Sequence, residues 1–181
     1  MRKNDDSLRY YQVVLGRDPV NPFIFDGLST SMLAAGRTAE AVQAARKALD
    51  FSPNLEWGHW YLAYALLWNH ELDSALREIA LEPIASMRLS CAALIERARG
   101  NQQASEAALR ALLQVNDAPK PYMVAEVYGS RGDTREALDW LERARLARTG
   151  WFSEVTQDPA FNAIRDDSAF KEALRRMKLP E

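Results

Sequence analysis

Apolar positions recur at helical spacing along almost the whole of this chain, and polar or helix-breaking residues cut the pattern into short segments. Leu8, Tyr11, Val14 and Leu15 form a first stripe, ended by Asp18-Pro19. A second starts at Pro22, a residue suited to a first helical turn, carries Phe25, Leu28, Met32 and Ala35, and stops at Gly36. Ala41, Ala44, Ala45, Ala48 and Leu49 make its partner, which Ser52-Pro53 ends. The same reading predicts helices over about 56–69 and 71–81, the latter cut short by Pro83, then about 84–99 and 103–115 around Gly100. The turn at Gly100 is expected to be about two residues longer than the one at Gly36. A fourth pair is predicted over about 120–131 and 134–148. Beyond Gly150 the stretch 151–157 is irregular, Asp158-Pro159 starts a short helix, and Asp167 or Ser168 caps a last one ending near Met177. Alternating strand-like runs are nearly absent.

The pairing has a period. Gly36-Arg37-Thr38-Ala39-Glu40-Ala41 and Gly132-Asp133-Thr134-Arg135-Glu136-Ala137 each close one segment and open the next, 96 residues apart. That offset is close to three repeats of about 34 residues, the length of a helix–turn–helix unit. Stacked helix pairs build extended surfaces rather than closed pockets.

The segment from Pro22 to Pro53 resembles a tetratricopeptide repeat. Phe25, Leu28, Ser29 and Met32 stand at its first-helix positions, followed by Ala41, Ala45, Ala48 and Pro53. Leu62, Ala63, Leu66 and Ala75 repeat the order, as do Val124, Ala125, Tyr128, Ala137, Leu141 and Ala144. The third repeat keeps Ala93 but departs at Glu96, where an aromatic is usual. The resemblance implies an all-α fold: a right-handed α-α superhelix of about four helix pairs plus C-terminal helices. Small residues recur because the two helices of a pair cross closely. The tail (Trp140 to Ala144, Asp158-Pro159-Ala160-Phe161, Arg165 to Asp167, Phe170, Leu174, Met177, Leu179-Pro180) is similar to the ends of repeat regions in bacterial multidomain regulators. Those regions follow winged-helix, class III nucleotide cyclase or protein kinase domains.

Composition narrows the partners. Over 181 residues the chain is 48% hydrophobic and 27% charged, ordinary for a soluble globular protein. A net charge of −2 argues against a nucleic-acid footprint. One cysteine, Cys91, excludes an internal disulfide and fits a reducing compartment. No apolar run is long enough for a membrane span and no secretion signal opens the chain. A cytoplasmic protein is expected.

Candidate chemistry is sparse. His59 and His70 have no ligand-spaced partner, so no metal or other cofactor is expected. Gly100 and Gly132 read as helix C-caps, and Asp158, Asp166 and Asp167 as helix-start carboxylates rather than acid–base groups. Catalysis is not expected. The feature that stands out is aromatic: Trp57, Trp60, Tyr61, Tyr64 and Trp68 crowd one segment. The resemblance places Trp57, Trp60, Tyr64 and Trp68 on a concave groove, with Phe23 and Asp26 from the first repeat. Met87, Leu94 and Arg97 from the third and Tyr122 and Glu126 from the fourth complete it. Three covers compete for that surface: neighbouring repeats, the chain's own helix bearing Phe170, Leu174 and Met177, or a partner peptide or helix.

The expected organisation is a repeat domain over 1–150 with capping helices over 151–181. Ser7 to Pro19 reads as half of a repeat whose first helix lies before Met1, so a longer protein or self-association through this end is expected. The alternative is that this helix caps the next pair. The expected function is a non-enzymatic scaffold for a protein or peptide partner, within a bacterial signalling or transcription-control protein. The competing reading is a structural and dimerisation spacer on a cyclase or DNA-binding domain. A small-molecule sensor built on Trp57, Trp60 and Trp68 is a third.

Overall fold

A computed structural model describes residues 2–117, 120–148 and 154–179, with side chains from Ser7 onward. Every regular element among them is helical, and no described helix is long and apolar enough to cross a membrane. The start of the irregular stretch expected at Trp151 lies outside the described residues. The chain divides into two compact units, Met1–Pro83 and Ile84–Glu181.

In the first unit, α1 (Arg2–Leu15) packs on α2 (Pro22–Ala34), which pairs with α3 (Thr38–Phe51). Next come α4 (Gly58–Trp68) and its short partner α5 (Leu72–Ile79), with α4 resting on α2 and α3. The second unit holds α6 (Ala85–Ala98) paired with α7 (Gln102–Gln114), and α8 (Lys120–Arg131) paired with α9 (Thr134–Leu146). Helix α8 also packs on α6 and α7. The 3-10 turn Pro159–Phe161 then lies on α8, and α10 (Ser168–Arg176) lies on α9.

Local sequence explains the ends. Asn21 accepts from the Phe23 amide at 3.2 Å with Pro22 in the first turn, and Asn101 accepts from the Ala104 amide at 3.3 Å. Gly36, Gly100 and Gly132 close α2, α6 and α8 in the left-handed region, φ +73°, +79° and +83°. The α4–α5 turn has no glycine, and His70 takes the same conformation at φ +62°. The turn at Gly100 is not longer than the one at Gly36: α6 ends at Ala98 and α7 begins at Gln102, as α2 ends at Ala34 and α3 begins at Thr38. Asn101 caps α7 one residue earlier than the apolar stripe suggests. Glu96 therefore stands in Met32's register, half-buried beside Arg99.

The small residues sit where close crossings require them. Ser29, Ala63, Ala93 and Ala125 on the first helices, and Ala41, Ala75, Ser105 and Ala137 on the second, are all 0% exposed. A larger side chain at any of them would have to push two backbones apart. Ser105 adds polar bonds at its crossing, donating to the Ala93 carbonyl at 2.8 Å and accepting from Arg131 at 3.1 Å. Between successive pairs the hydrogen bonds also keep the repeat: Thr38 to Asn69, Ser86 to Asp117, Arg97 to Ser130 and Thr134 to Asp167 span 31 to 33 residues. In the first unit Leu8 of α1 joins the cluster of Ile24, Phe25, Leu28, Ala44, Ala48 and Leu55. Cys91 is buried as a small hydrophobe.

Candidate functional site

Helix α4 carries an aromatic column. Trp60 and Tyr64, one turn apart, stack with centroids 4.8 Å apart and planes 15° from parallel. Trp68 meets Tyr64 edge-on at 5.9 Å, and Tyr61 meets Trp60 edge-on at 5.1 Å. Spacing i, i+4 brings Trp60, Tyr64 and Trp68 onto one face of the helix. Its start is unusual. Trp57 precedes it with φ +66°, a conformation costly for a bulky residue, and supplies no side-chain cap. Glu82, buried beyond α5, supplies one instead: its carboxylate accepts from the Trp60 amide at 3.3 Å, in the first turn where helical amides lack partners.

On α2, Asp26 stands one repeat of 34 residues before Trp60. It is buried, its Oδ1 meets no hydrogen-bond partner among the described residues, and burial pushes its carboxyl up to about 7. The indole N–H groups of Trp60 and Trp68 likewise meet no acceptor among them. Aromatic faces of this kind can take a cationic or apolar side chain.

The second unit builds something different at the matching positions of α8. The Tyr122 hydroxyl donates to Asp158 Oδ2 at 2.8 Å, and Asp158 Oδ1 accepts from the Ala160 amide at 2.9 Å. Glu126, one turn after Tyr122, is fully buried and neither of its oxygens accepts a hydrogen bond. Burial, then the Asp158 carboxylate and its hydrogen bond, hold Glu126 well above the ordinary glutamate range. Burial and then the charges of Asp158 and Glu126 likewise hold the Tyr122 phenol well above its usual value. Glu154, although exposed as a residue, is pushed up to about 7 by desolvation and the nearby Asp158. Phe161 lies edge-on to Tyr122 at 6.0 Å and stacks on Phe170 at 5.9 Å. Its ring fills the space at Gly129, where a Cβ would come within 2.5 Å of it.

Of the eleven residues expected to line a groove, Phe23 is exposed, and Trp57, Trp68 and Arg97 are half-buried. Asp26, Trp60, Tyr64, Met87, Leu94, Tyr122 and Glu126 are buried. Within the first unit the structure gathers Trp60, Tyr64 and Trp68. Within the second it joins Tyr122 to Glu126. Arg97 is turned aside, its guanidinium donating to the Ser130 carbonyl at 3.2 Å. Asp158 and Asp167 do cap, accepting from the amides of Ala160 and Ala169, while Asp166 pairs with Lys171 at the surface. Sequence reasoning stopped at the cap and missed that Asp158 also joins Tyr122 and Glu126. The signal was its distance along the chain, 36 residues from Tyr122 and so about one repeat. His59 Nδ1 lies 2.6 Å from Glu78, and no group of three or more His, Cys, Asp or Glu suited to a metal occurs among the described residues.

No protein-family model matches the chain. Among curated proteins it is 29% identical over 79 residues to a tetratricopeptide repeat and J domain-containing co-chaperone, DNJ1, of Fusarium oxysporum f. sp. lycopersici. The match covers 44% of this chain and 15% of that protein. It supports helical repeats of the tetratricopeptide kind, and with them a protein-interaction scaffold.

Proposed function

We propose that the chain binds a peptide or helix of another protein on the faces of its first helices, without covalent chemistry. In the first unit that face carries Phe23, Asp26, Trp57, Trp60, Tyr64 and Trp68; in the second, Met87, Arg97, Tyr122 and Glu126. The observation that carries the reading is the α4 column, whose stacked interior Trp60–Tyr64 pair meets half-buried Trp68 edge-on, with half-buried Trp57 leading into the helix. Aromatic side chains held rigid in this way are strong anchors for a partner. In this reading the chain works in cytoplasmic signalling or transcription control, a setting whose support is the resemblance of the tail to the ends of repeat regions in bacterial regulators. The name of the Fusarium protein adds a co-chaperone setting to the same reading.

A peptide-display library panned on the full chain tests it, with a Trp57→Ala, Trp68→Ala double variant as control. Enriched peptides that bind the wild type and lose at least about tenfold in affinity on the variant, at unchanged melting temperature, support the reading. An absence of enrichment, or a loss that follows unfolding, overturns it.

Self-association is the second reading, favoured by one observation. Tyr10, Val13, Val20 and Phe23 lie exposed in the N-terminal part of the first unit, at 64%, 60%, 57% and 67%. An apolar set of that size is an interaction liability for a lone chain. Light scattering tests it: a strict monomer at high concentration removes the homo-oligomer and the dimerisation spacer together.

A further inference from the structure

The second unit covers its own first-helix face. Val155, Ala160, Phe161 and Ile164 of the returning segment are 0 to 2% exposed, and Phe161 occupies the notch that Gly129 leaves on α8. The polar centre of this contact is three groups: Tyr122, Glu126 and Asp158. Asp158 accepts at both oxygens, from Tyr122 and from the Ala160 amide. Glu126 accepts from nothing and is fully enclosed. A carboxylate there would be buried, unsatisfied and beside a like charge, whereas a carboxylic acid has one hydrogen to give and Asp158 to receive it.

We propose that segment 154–164 is an acid-latched cap on α8, held in place by the proton that Glu126 shares with Asp158 and loosened when that proton leaves. Among the described residues, the arginines of the elements packed here have other partners. From the segment itself, Asp158 and Glu154 both add negative charge, while Arg165 donates to the carbonyls of Thr156 and Asp158. From α6, Arg97 is engaged by the Ser130 carbonyl. On α8, Arg131 reaches across to the hydroxyl of Ser105 on α7. From α9, Glu136 and Glu142 are paired with Arg135 and Arg145 at the surface. The docked form therefore holds a proton that the released form gives up, and rising pH favours release. Release would uncover Tyr122, Glu126 and Gly129. The latch does not rest on the binding role proposed above; only its use as a gate for a partner does.

The test is a pH titration of the full chain by NMR, from about pH 4 to about pH 9. It follows the side-chain carboxyl carbon of Glu126 and the intrinsic-rate-corrected exchange protection of the Phe161 and Ile164 amides. In the wild type the carbon titrates well above about 4.3, and protection falls at least about tenfold through the same range. In Glu126→Gln the amide N–H replaces the acid proton as donor to Asp158, and protection stays level across the range. Flat protection in the wild type, an equal fall in Glu126→Gln, or a Glu126 carbon titrating near its ordinary value overturns the latch. Should Glu126→Gln fail to fold, the carbon titration and wild-type protection decide together.

Discussion

Helices α4 and α8 occupy the same place in their pairs, each a first helix ending one or two residues before a left-handed residue and three or four before its second helix. At corresponding positions α4 has Trp60 and Tyr64 where α8 has Tyr122 and Glu126. The aromatic pair packs on itself, because stacking asks only for another ring at the right spacing, although the Trp60 indole N–H meets no acceptor among the described residues. The Tyr–Glu pair does not, because a buried acid and hydroxyl need partners of defined chemistry. The second unit supplies them from Asp158, on a segment that also fills the notch at Gly129 with Phe161. A repeating backbone decides where side chains stand, and their chemistry decides whether the chain must come back to cover them.

The largest effects should fall on the ring at the centre of each arrangement. Phe161→Ala in the second unit and Trp60→Ala in the first each remove a buried aromatic and are expected to cost about 3–5 kcal/mol. Amide exchange read unit by unit would show each loss confined to its own unit if the comparison is sound. A uniform loss would break it.

Asp26 offers a sharper contrast, since burial alone raises it and its Oδ1 meets no hydrogen-bond partner among the described residues. The folded state holds that proton up to about 7 and the unfolded state releases it near 3.8, so the native protein loses stability as pH rises through this window. Asp26→Asn should remove that loss. Its advantage over the wild type, measured by denaturant melts, should grow from pH 4 to 7 to an upper limit of about 4 kcal/mol and then level off.

Two backbone changes follow. Gly129→Ala is expected to cost about 1–3 kcal/mol in spite of alanine's better helix propensity, because Phe161 cannot withdraw from its packed site. Gly27→Ala meets the ring of Tyr11, whose half-buried side chain can swing aside, and should cost less. The smallest change is His70→Gly, which relieves a left-handed residue where Gly100 and Gly132 already do that work in the second unit. Thermal melts should show a gain of about 1 kcal/mol.

Helix existence and pairing were legible in the sequence because they depend on local, periodic facts. Stripes such as Phe25, Leu28 and Met32, helix-start carboxylates such as Asp158 and Asp167, and glycines at 36, 100 and 132 each act within a turn or two. The small residues at the crossings were legible too, since Ala41, Ala63, Ala93, Ala125 and Ala137 recur with the repeat and are all fully buried. The start of α7 was misjudged by one residue because an apolar stripe does not show which polar residue will cap it.

What the sequence determined by itself is a series of helix pairs with close crossings at Ala and Ser, since short-range propensity and period are enough to specify both. The tertiary structure alone decided that Glu82 caps α4, that Trp60 and Tyr64 turn inward, and that Asp158 is both a cap and the partner of Tyr122. Those outcomes depend on which groups a fold brings together from a repeat away. A carboxylate's role is set by the donors and charges it meets there, and nothing in its immediate neighbours states what those will be.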